Sequence, residues 1–193
     1  MGRSLLARKT AATDPVDALY GVVTLGRPTD ELVAEFAGPS QAVITAVDSN
    51  VLLDVFGADA TYGPASRDAL RRCRREGALV TCPVAWAEVS AAFPEPAAAA
   101  DAMARLGIRF DALDPVAAQL AGAAWRAYRG RGGPRDRVIA DFLVAAHAQT
   151  HAERLLTRDR GFYRSAFADL VILDPTSGQA PAGAANPAGG ATP

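Results

Sequence analysis

Four acidic residues of this sequence lie beside strongly apolar segments that fix their backbone positions: Asp48, Glu88, Asp141 and Asp159. A carboxylate next to core residues is unfavourable unless a partner compensates its charge. Crowded carboxylates repel one another, and a bound divalent cation removes that repulsion. Mg²⁺ and Mn²⁺ prefer oxygen ligands, supply activated water and stabilise charge on a phosphate. Any one of these acids alone is more commonly a helix cap or salt-bridge partner, but the set indicates metal-assisted phosphodiester hydrolysis.

Arginine supplies nearly all of the positive charge and is clustered, although the net charge of the chain is only −1. The clusters lie within residues 67–75, 126–137 and 154–164. Arginine binds phosphate through two parallel hydrogen bonds and stacks on bases. A solvated helix face explains any single cluster equally well, so the arginines favour a nucleic-acid substrate only in combination with the acids.

Strand-like and helix-like patterns alternate through residues 42–175, which predicts an α/β fold with a mainly parallel sheet. The predicted strands cover 42–47, 78–82, 108–113, 155–157 and 170–173. The predicted helices cover 50–56, 63–75, 83–93, 97–106, 115–128 and 137–148, with a helical turn at 162–167. The residues expected to face the core are Val116, Leu120, Ala123 and Ala127 in one helix, and Ile139, Phe142, Leu143 and Ala146 in another.

These elements would bring the four acids to one edge of the sheet. Ligands of parallel sheets bind beyond the carboxyl ends of the strands. Asp48 directly follows the first strand, and Asp159 follows the strand at 155–157. Glu88 and Asp141 lie in the first turns of two of the predicted helices.

Four segments together resemble the motifs of VapC-type PIN-domain ribonuclease toxins. They read AVDSNVLLDVF, PVAWAEVSAAF, RVIADFLVAAHA and LLTRDRGFYR. The resemblance covers residues 42–175 and implies a parallel sheet wrapped by helices, dependence on Mg²⁺ or Mn²⁺, RNA cleavage and a paired antitoxin. It assigns Asp48, Glu88, Asp141 and Asp159 to the active site. The stretch FPEPAAAADAMA departs from the family pattern. It lies where the lid helices of the family vary, so the resemblance does not define the choice of substrate.

The resemblance also suggests roles for the individual residues. Asp48, Asp141 and Asp159 would hold the metal directly or through water, and Glu88 would hold the metal or orient the attacking water. The supporting residues would be Asn50 and Thr157. Arg158 or Arg160 would contact RNA phosphate.

The first forty-one residues form a separate segment, the N-terminal arm (1–41). Within it, residues 14–38 resemble the toxin-binding tail of a VapB-type antitoxin, with two short amphipathic helices that cannot build a core alone. We expect the arm to dock on the PIN domain, in cis or on a second copy, and to inhibit it. A misassigned start or an inert remnant explains it equally well. Residues 176–193 lack large apolar side chains and are expected to be disordered.

Other chemistries receive little support from the sequence. Cys73 and Cys82 match no zinc or redox spacing. His147 and His151 have a spacing that can bind zinc, but a metalloprotease motif would need glutamate at Ala148. We therefore expect His147 to be a packed or hydrogen-bonded helix residue.

The overall expectation is a cytoplasmic endoribonuclease toxin, since no apolar run is long enough to span a membrane. A PIN nuclease for RNA maturation or for DNA is the alternative within catalysis. A catalytically silent module held by its fused arm is the alternative outside it. The family resemblance is also compatible with a homodimer.

Overall fold

A parallel sheet forms the centre of the computed structural model, which describes residues 14–18, 43–133 and 139–177. Its strands are β1 (Val43–Val47), β2 (Gly77–Thr81), β3 (Ile108–Phe110), β4 (Arg154–Leu156) and β5 (Ile172–Leu173). They lie in the order β3-β2-β1-β4-β5, and each neighbouring pair is parallel. The predicted α/β class and parallel sheet are therefore confirmed.

Helices connect and cover these strands. Within the described ranges they are α1 (Pro15–Ala18), α2 (Ser49–Phe56), α3 (Gly63–Glu76), α4 (Pro83–Ser90), α5 (Pro96–Arg105), α6 (Pro115–Gly130), α7 (Ile139–His151) and α8 (Arg160–Ala166). None of them is long and apolar enough to cross a membrane.

The predicted element boundaries are accurate where a cap marks them and less accurate elsewhere. The Asp114 side chain accepts the amide hydrogen of Ala117 at 2.7 Å, so α6 begins at Pro115 as predicted. Helix α4 ends at Ser90 instead of Phe93, because Pro94 disfavours helical backbone in the residue before it.

The sheet is buried on both faces, which is why its strands are apolar without alternation. Val47 and Leu156 point to a core that they share with α2, α3 and α5. Ala46 and Leu155, one residue earlier in each strand, point to a second core shared with α6, α7 and α8. Each loop that leaves a strand end is thus held by two packed layers.

The predicted apolar stripe of α6 is wrong at three of its four positions, whereas Leu120 packs against the second core as predicted. Ala117 and Ala121 are fully buried, whereas Val116 is 62% exposed and Ala123 and Ala127 are exposed. Because alanine fills most of this helix, the positions of its few larger residues carry little information about which face is buried. In α7 the prediction is better, since Phe142 and Ala146 are buried and Leu143 packs against the second core, although Ile139 is 38% exposed.

Two predicted segments fall mostly outside the described residues. Only residues 14–18 of the N-terminal arm are described, and they include α1. Of the tail predicted to be disordered, only Thr176 and Ser177 are described, so that prediction is not tested.

Candidate active site

The central strand β1 lies where the order of the sheet changes direction, with β2 on one side and β4 on the other. At such a point the loops that leave the two strands turn apart and open a crevice. Asp48 follows β1 and Thr157 follows β4. The Thr157 hydroxyl donates to Asp48 Oδ2 at 2.7 Å. The topology of the sheet therefore places these two polar side chains together.

Asp48 is buried and held by donors on both carboxylate oxygens. Oδ1 accepts the amide hydrogen of Ser49 at 2.8 Å, which caps the start of α2. Oδ2 accepts from the Asn50 amide at 2.7 Å and from the Tyr163 hydroxyl at 3.4 Å. The Asn50 amide also donates to Thr157 Oγ1 at 3.1 Å. Asn50 and Thr157, both predicted as supporting residues, thus fix the orientation of this carboxylate.

The charge on Asp48 is nevertheless only partly compensated by these contacts. Burial raises the pKa of Asp48 to about 6, and the hydrogen bonds from Thr157 and Ser49 counter only part of that increase. The negative charge of Glu88, an exposed residue of α4, also contributes to the raised pKa of Asp48.

The Tyr163 hydroxyl, which donates to Asp48, is also influenced by the charges of Asp141 and Asp159. Burial raises the pKa of the Tyr163 hydroxyl, and the negative charges of Asp48, Asp141 and Asp159 raise it further. The charges of all three carboxylates therefore act on this hydroxyl. Sequence reasoning missed Tyr163, although its position four residues after Asp159 puts both on one face of a helical turn.

Asp141 and Asp159 each lie at the beginning of a helix. Asp141 is in the first turn of α7. Asp159 precedes α8, where its side chain accepts the amide hydrogen of Phe162 at 3.5 Å, and its own amide donates to Thr157 Oγ1 at 3.1 Å. Helix N-termini carry partial positive charge, which favours carboxylates at both positions.

We call the four predicted acids the acidic site: the charge of Glu88 acts on Asp48, and the charges of Asp48, Asp141 and Asp159 act on the Tyr163 hydroxyl. Across the described residues, only Asp111, His147 and His151 form a group of three ligating side chains whose ligand atoms all lie within 4.8 Å of one another. An all-oxygen donor set around a buried carboxylate whose pKa is raised fits Mg²⁺ or Mn²⁺. The wider spacing suits an ion that keeps several of its waters between itself and the protein.

Arg158 makes contacts with the protein itself that the sequence did not predict. Its Nη2 lies 3.0 Å from Oδ1 of Asp54, and its guanidinium stacks 4.2 Å from the centre of the Tyr62 ring. Asp54 is buried and also accepts from the Ser66 hydroxyl at 2.6 Å. The Arg160 side chain lies outside the described part of the structure.

Comparison with known proteins shows which family and fold this chain resembles. The sequence matches the PIN domain family over residues 45–168. No curated protein is a significant match. Similar solved structures include VapBC2 from Rickettsia felis bound to a promoter DNA fragment (TM-score 0.53, 12% identity, covering 68% of this chain and 98% of that one). Another is VapBC-1 from nontypeable Haemophilus influenzae (TM-score 0.54, 16% identity, covering 69% of this chain and 98% of that one). A third is FitAcB from Neisseria gonorrhoeae (TM-score 0.52, 19% identity, covering 68% of this chain and 97% of that one).

At these identities the solved structures establish similarity of fold only. The family match spans well over half of the sequence, and it begins in β1 and ends just beyond α8. It therefore includes Asp48, Glu88, Asp141 and Asp159 with the strands and helices that position them. This chain belongs to the PIN domain family.

Proposed function

We propose that this protein is a Mg²⁺- or Mn²⁺-dependent endoribonuclease and the toxin component of a toxin–antitoxin system. The observation that carries this proposal is the buried Asp48 carboxylate at the change of strand order, whose pKa burial raises to about 6. Such a carboxylate is ionised at neutral pH at a cost that a nearby divalent cation removes. PIN domains are nucleases as a family, and hydrolysis of a phosphodiester fits the acidic site.

Each member of the acidic site has a role in this proposal. Asp48, Asp141 and Asp159 would hold the ion directly or through water, and Glu88 would hold it or orient the attacking water. The bound ion supplies activated water and stabilises negative charge on the phosphate. Asn50 and Thr157 keep Asp48 oriented through the hydrogen bonds described above.

The arginines near the acidic site would bind the RNA backbone. Arg158 is held in place by Asp54 and Tyr62, and its side chain is 30% exposed. A guanidinium fixed in this way loses little conformational freedom when it meets a phosphate. Arg160 is the second candidate for this contact.

Substitution of the acids tests the proposal directly. Asp48→Asn and Asp141→Asn keep the shape of the side chain and remove its charge. We expect each to reduce cleavage of single-stranded RNA in Mg²⁺ by at least about 100-fold, because even second-shell partners of metal ligands are worth about 10–100-fold. The matched control is Asp101→Asn, since Asp101 is exposed on α5 and is expected to leave the rate unchanged.

Two outcomes would reject the proposal. Equal cleavage by the wild type and Asp48→Asn would remove Asp48 from the active site. If the wild type cuts no RNA and calorimetry detects no binding of Mg²⁺ or Mn²⁺, the protein is the silent module considered above. Cleavage of DNA in preference to RNA, or RNA cleavage without growth arrest on expression, would favour the alternative PIN nuclease functions.

A VapB-type antitoxin is the proposed protein partner, and the N-terminal arm would imitate it in cis or in trans. Solved structures with this fold include toxin–antitoxin complexes. In this chain Val16 of α1 is fully buried in the core shared with α3. Arg71 of α3 pairs with Asp14 and Asp17, and Arg74 lies 3.4 Å from Asp14. These contacts support docking of the arm on α3.

A cytoplasmic location and a homodimer remain predictions.

A further inference from the structure

A compact group of ligating side chains lies apart from the four acids assigned above. Asp111 follows β3, whereas His147 and His151 lie one turn apart on α7. Oδ2 of Asp111 is 2.9 Å from Nε2 of His147 and 2.9 Å from Nδ1 of His151. Among the described residues, this is the one set of three or more potential ligands whose atoms all lie within 4.8 Å of one another. We call it the histidine cluster.

We propose that the histidine cluster binds a divalent transition-metal ion of the Zn²⁺ class, with Asp111, His147 and His151 as its three protein ligands. Imidazole nitrogen favours Zn²⁺, Ni²⁺ and Cu²⁺ over Mg²⁺, which selects a different class of ion from that of the acidic site. Zinc bonds of about 2.0–2.1 Å at tetrahedral angles place ligand atoms about 3.4 Å apart. The observed spacing of the three atoms therefore requires only small side-chain adjustments.

Both rings are already oriented for this role. They stack with their centroids 4.9 Å apart and their planes 16° from parallel, so His147 Nε2 and His151 Nδ1 reach the same carboxylate oxygen. The other nitrogen of His151, Nε2, lies 3.5 Å from Oδ2 of Asp114. A carboxylate behind a ligating histidine is a common outer partner in metal sites, because it fixes the tautomer and strengthens the ligand.

Exposure of the cluster leaves one side of the ion accessible. The His147 side chain is 1% exposed, whereas the side chains of His151 and Asp111 are 22% and 36% exposed. Three protein ligands on the buried side leave a fourth position for water or a small ligand. The ion would also join α7, which carries Asp141, to the segment between β3 and α6.

Zinc titration of the tag-free, full-length protein tests this proposal. After treatment with a chelator, calorimetry in excess Mg²⁺ should show one Zn²⁺ per chain, and Co²⁺ should give the visible absorption of a nitrogen- and oxygen-ligated ion. We expect His151→Gln and Asp111→Asn each to weaken Zn²⁺ binding by at least about tenfold. Asp114→Asn, which retains a helix-capping side chain, should weaken it less. Asp48→Asn should not change it.

The variants also decide between the proposed site and a purely structural hydrogen-bond cluster. Circular dichroism confirms that each variant is folded before it is titrated. Absence of saturable Zn²⁺ binding in the wild type would overturn the proposal. So would equal affinity of the wild type, His151→Gln and Asp111→Asn. Loss of binding in Asp48→Asn alone would assign the Zn²⁺ to the acidic site and overturn it as well.

Discussion

At the scale of single residues, Asp48 combines two opposing demands. Its three side-chain donors and the Ser49 amide favour the ionised carboxylate, whereas burial disfavours it. Burial dominates, because the pKa of Asp48 is raised from 3.8 to about 6. Without a cation, this carboxylate is therefore a local cost to stability at neutral pH.

That cost predicts an unusual pH dependence of folding in the metal-free protein. The folded state keeps the Asp48 proton up to about pH 6, whereas the unfolded chain releases it near pH 3.8. The stabilisation that the protonated Asp48 gives to the folded state is complete below about pH 3.8 and is lost as the pH rises through about 6. About two pKa units correspond to roughly 3 kcal/mol. Denaturant unfolding in EDTA at several pH values, compared with Asp48→Asn, measures this difference.

The same experiment contains its own check. If the stability of the wild type minus that of Asp48→Asn stays constant between pH 4 and pH 7, the pKa of Asp48 is not raised. A second measurement adds Mg²⁺ to both proteins at pH 7. The ion should stabilise the wild type more than Asp48→Asn, because an ion that binds only the folded state shifts the folding equilibrium.

Residues that carry a motif could be found in the sequence, but residues that act through tertiary contact could not. Asp48 and Asn50 are separated by one position and could be recognised together. Asp54 is identified as a buried partner of Ser66 and Arg158 only by the packing of α2 against α3. The spacing of Tyr163 from Asp159 indicates only that these two residues are close, whereas the contact between the Tyr163 hydroxyl and Asp48 is set by the tertiary fold.

At the scale of elements, the start of β2 depends on a glycine. A Cβ added at Gly77 would lie 2.0 Å from the carbonyl oxygen of Val43 and 2.8 Å from its nitrogen. Both are backbone atoms of the paired strand β1, so they cannot move aside without disturbing the sheet. Gly77, which directly follows α3, is thus a point of close contact between strands.

We expect Gly77→Ala to destabilise the protein by about 1–3 kcal/mol through overpacking. The matched control is Gly122→Ala on α6, where a Cβ meets no heavy atom within 4 Å. Alanine favours helix over glycine by up to about 1 kcal/mol, so this control should be neutral or stabilising. Thermal unfolding of both variants makes the comparison. A similar melting temperature for Gly77→Ala and the wild type would contradict the close contact.

Element order was predictable because apolar strands and capped helices alternate clearly. The ends that were wrong have different causes: α4 ends before Pro94, although the predicted helix ran to Phe93, whereas the end of β3 depends on its partner strand. The strand predicted at 108–113 ends at Phe110, because the described strand that pairs with β3, β2, also ends there, at Thr81. Partner length is a tertiary property, and no residue of 111–113 encodes it.

At the scale of the whole molecule, the two cores meet at the sheet, and α1, within the described part of the arm, packs into one of them. Val16, although far from β1 in sequence, belongs to the same buried cluster as Val47, which directly precedes Asp48. Helix α3 receives α1 on its surface and packs against α2, which starts at Ser49. Helix α1 therefore contacts α3, which packs against the helix that begins beside Asp48.

If the arm is an inhibitor, its removal should activate the enzyme. We expect deletion of residues 1–40 and the substitution Val16→Asp each to raise RNA cleavage in Mg²⁺ by at least about fivefold, the low end of typical coupling between two sites. Val16→Asp puts a charge at a fully buried position and so should detach α1 from α3. Initial rates per folded molecule are the quantity to measure.

Val171→Asp is the matched control, because Val171 is 55% exposed and belongs to neither the arm nor the acidic site. Thermal unfolding is needed beside the rates, since both arm variants also remove apolar contacts from the core of α3. A lower melting temperature with an unchanged rate would make α1 a structural element of the domain. An increased rate in the deletion alone would place the inhibitory contact in arm residues other than Val16.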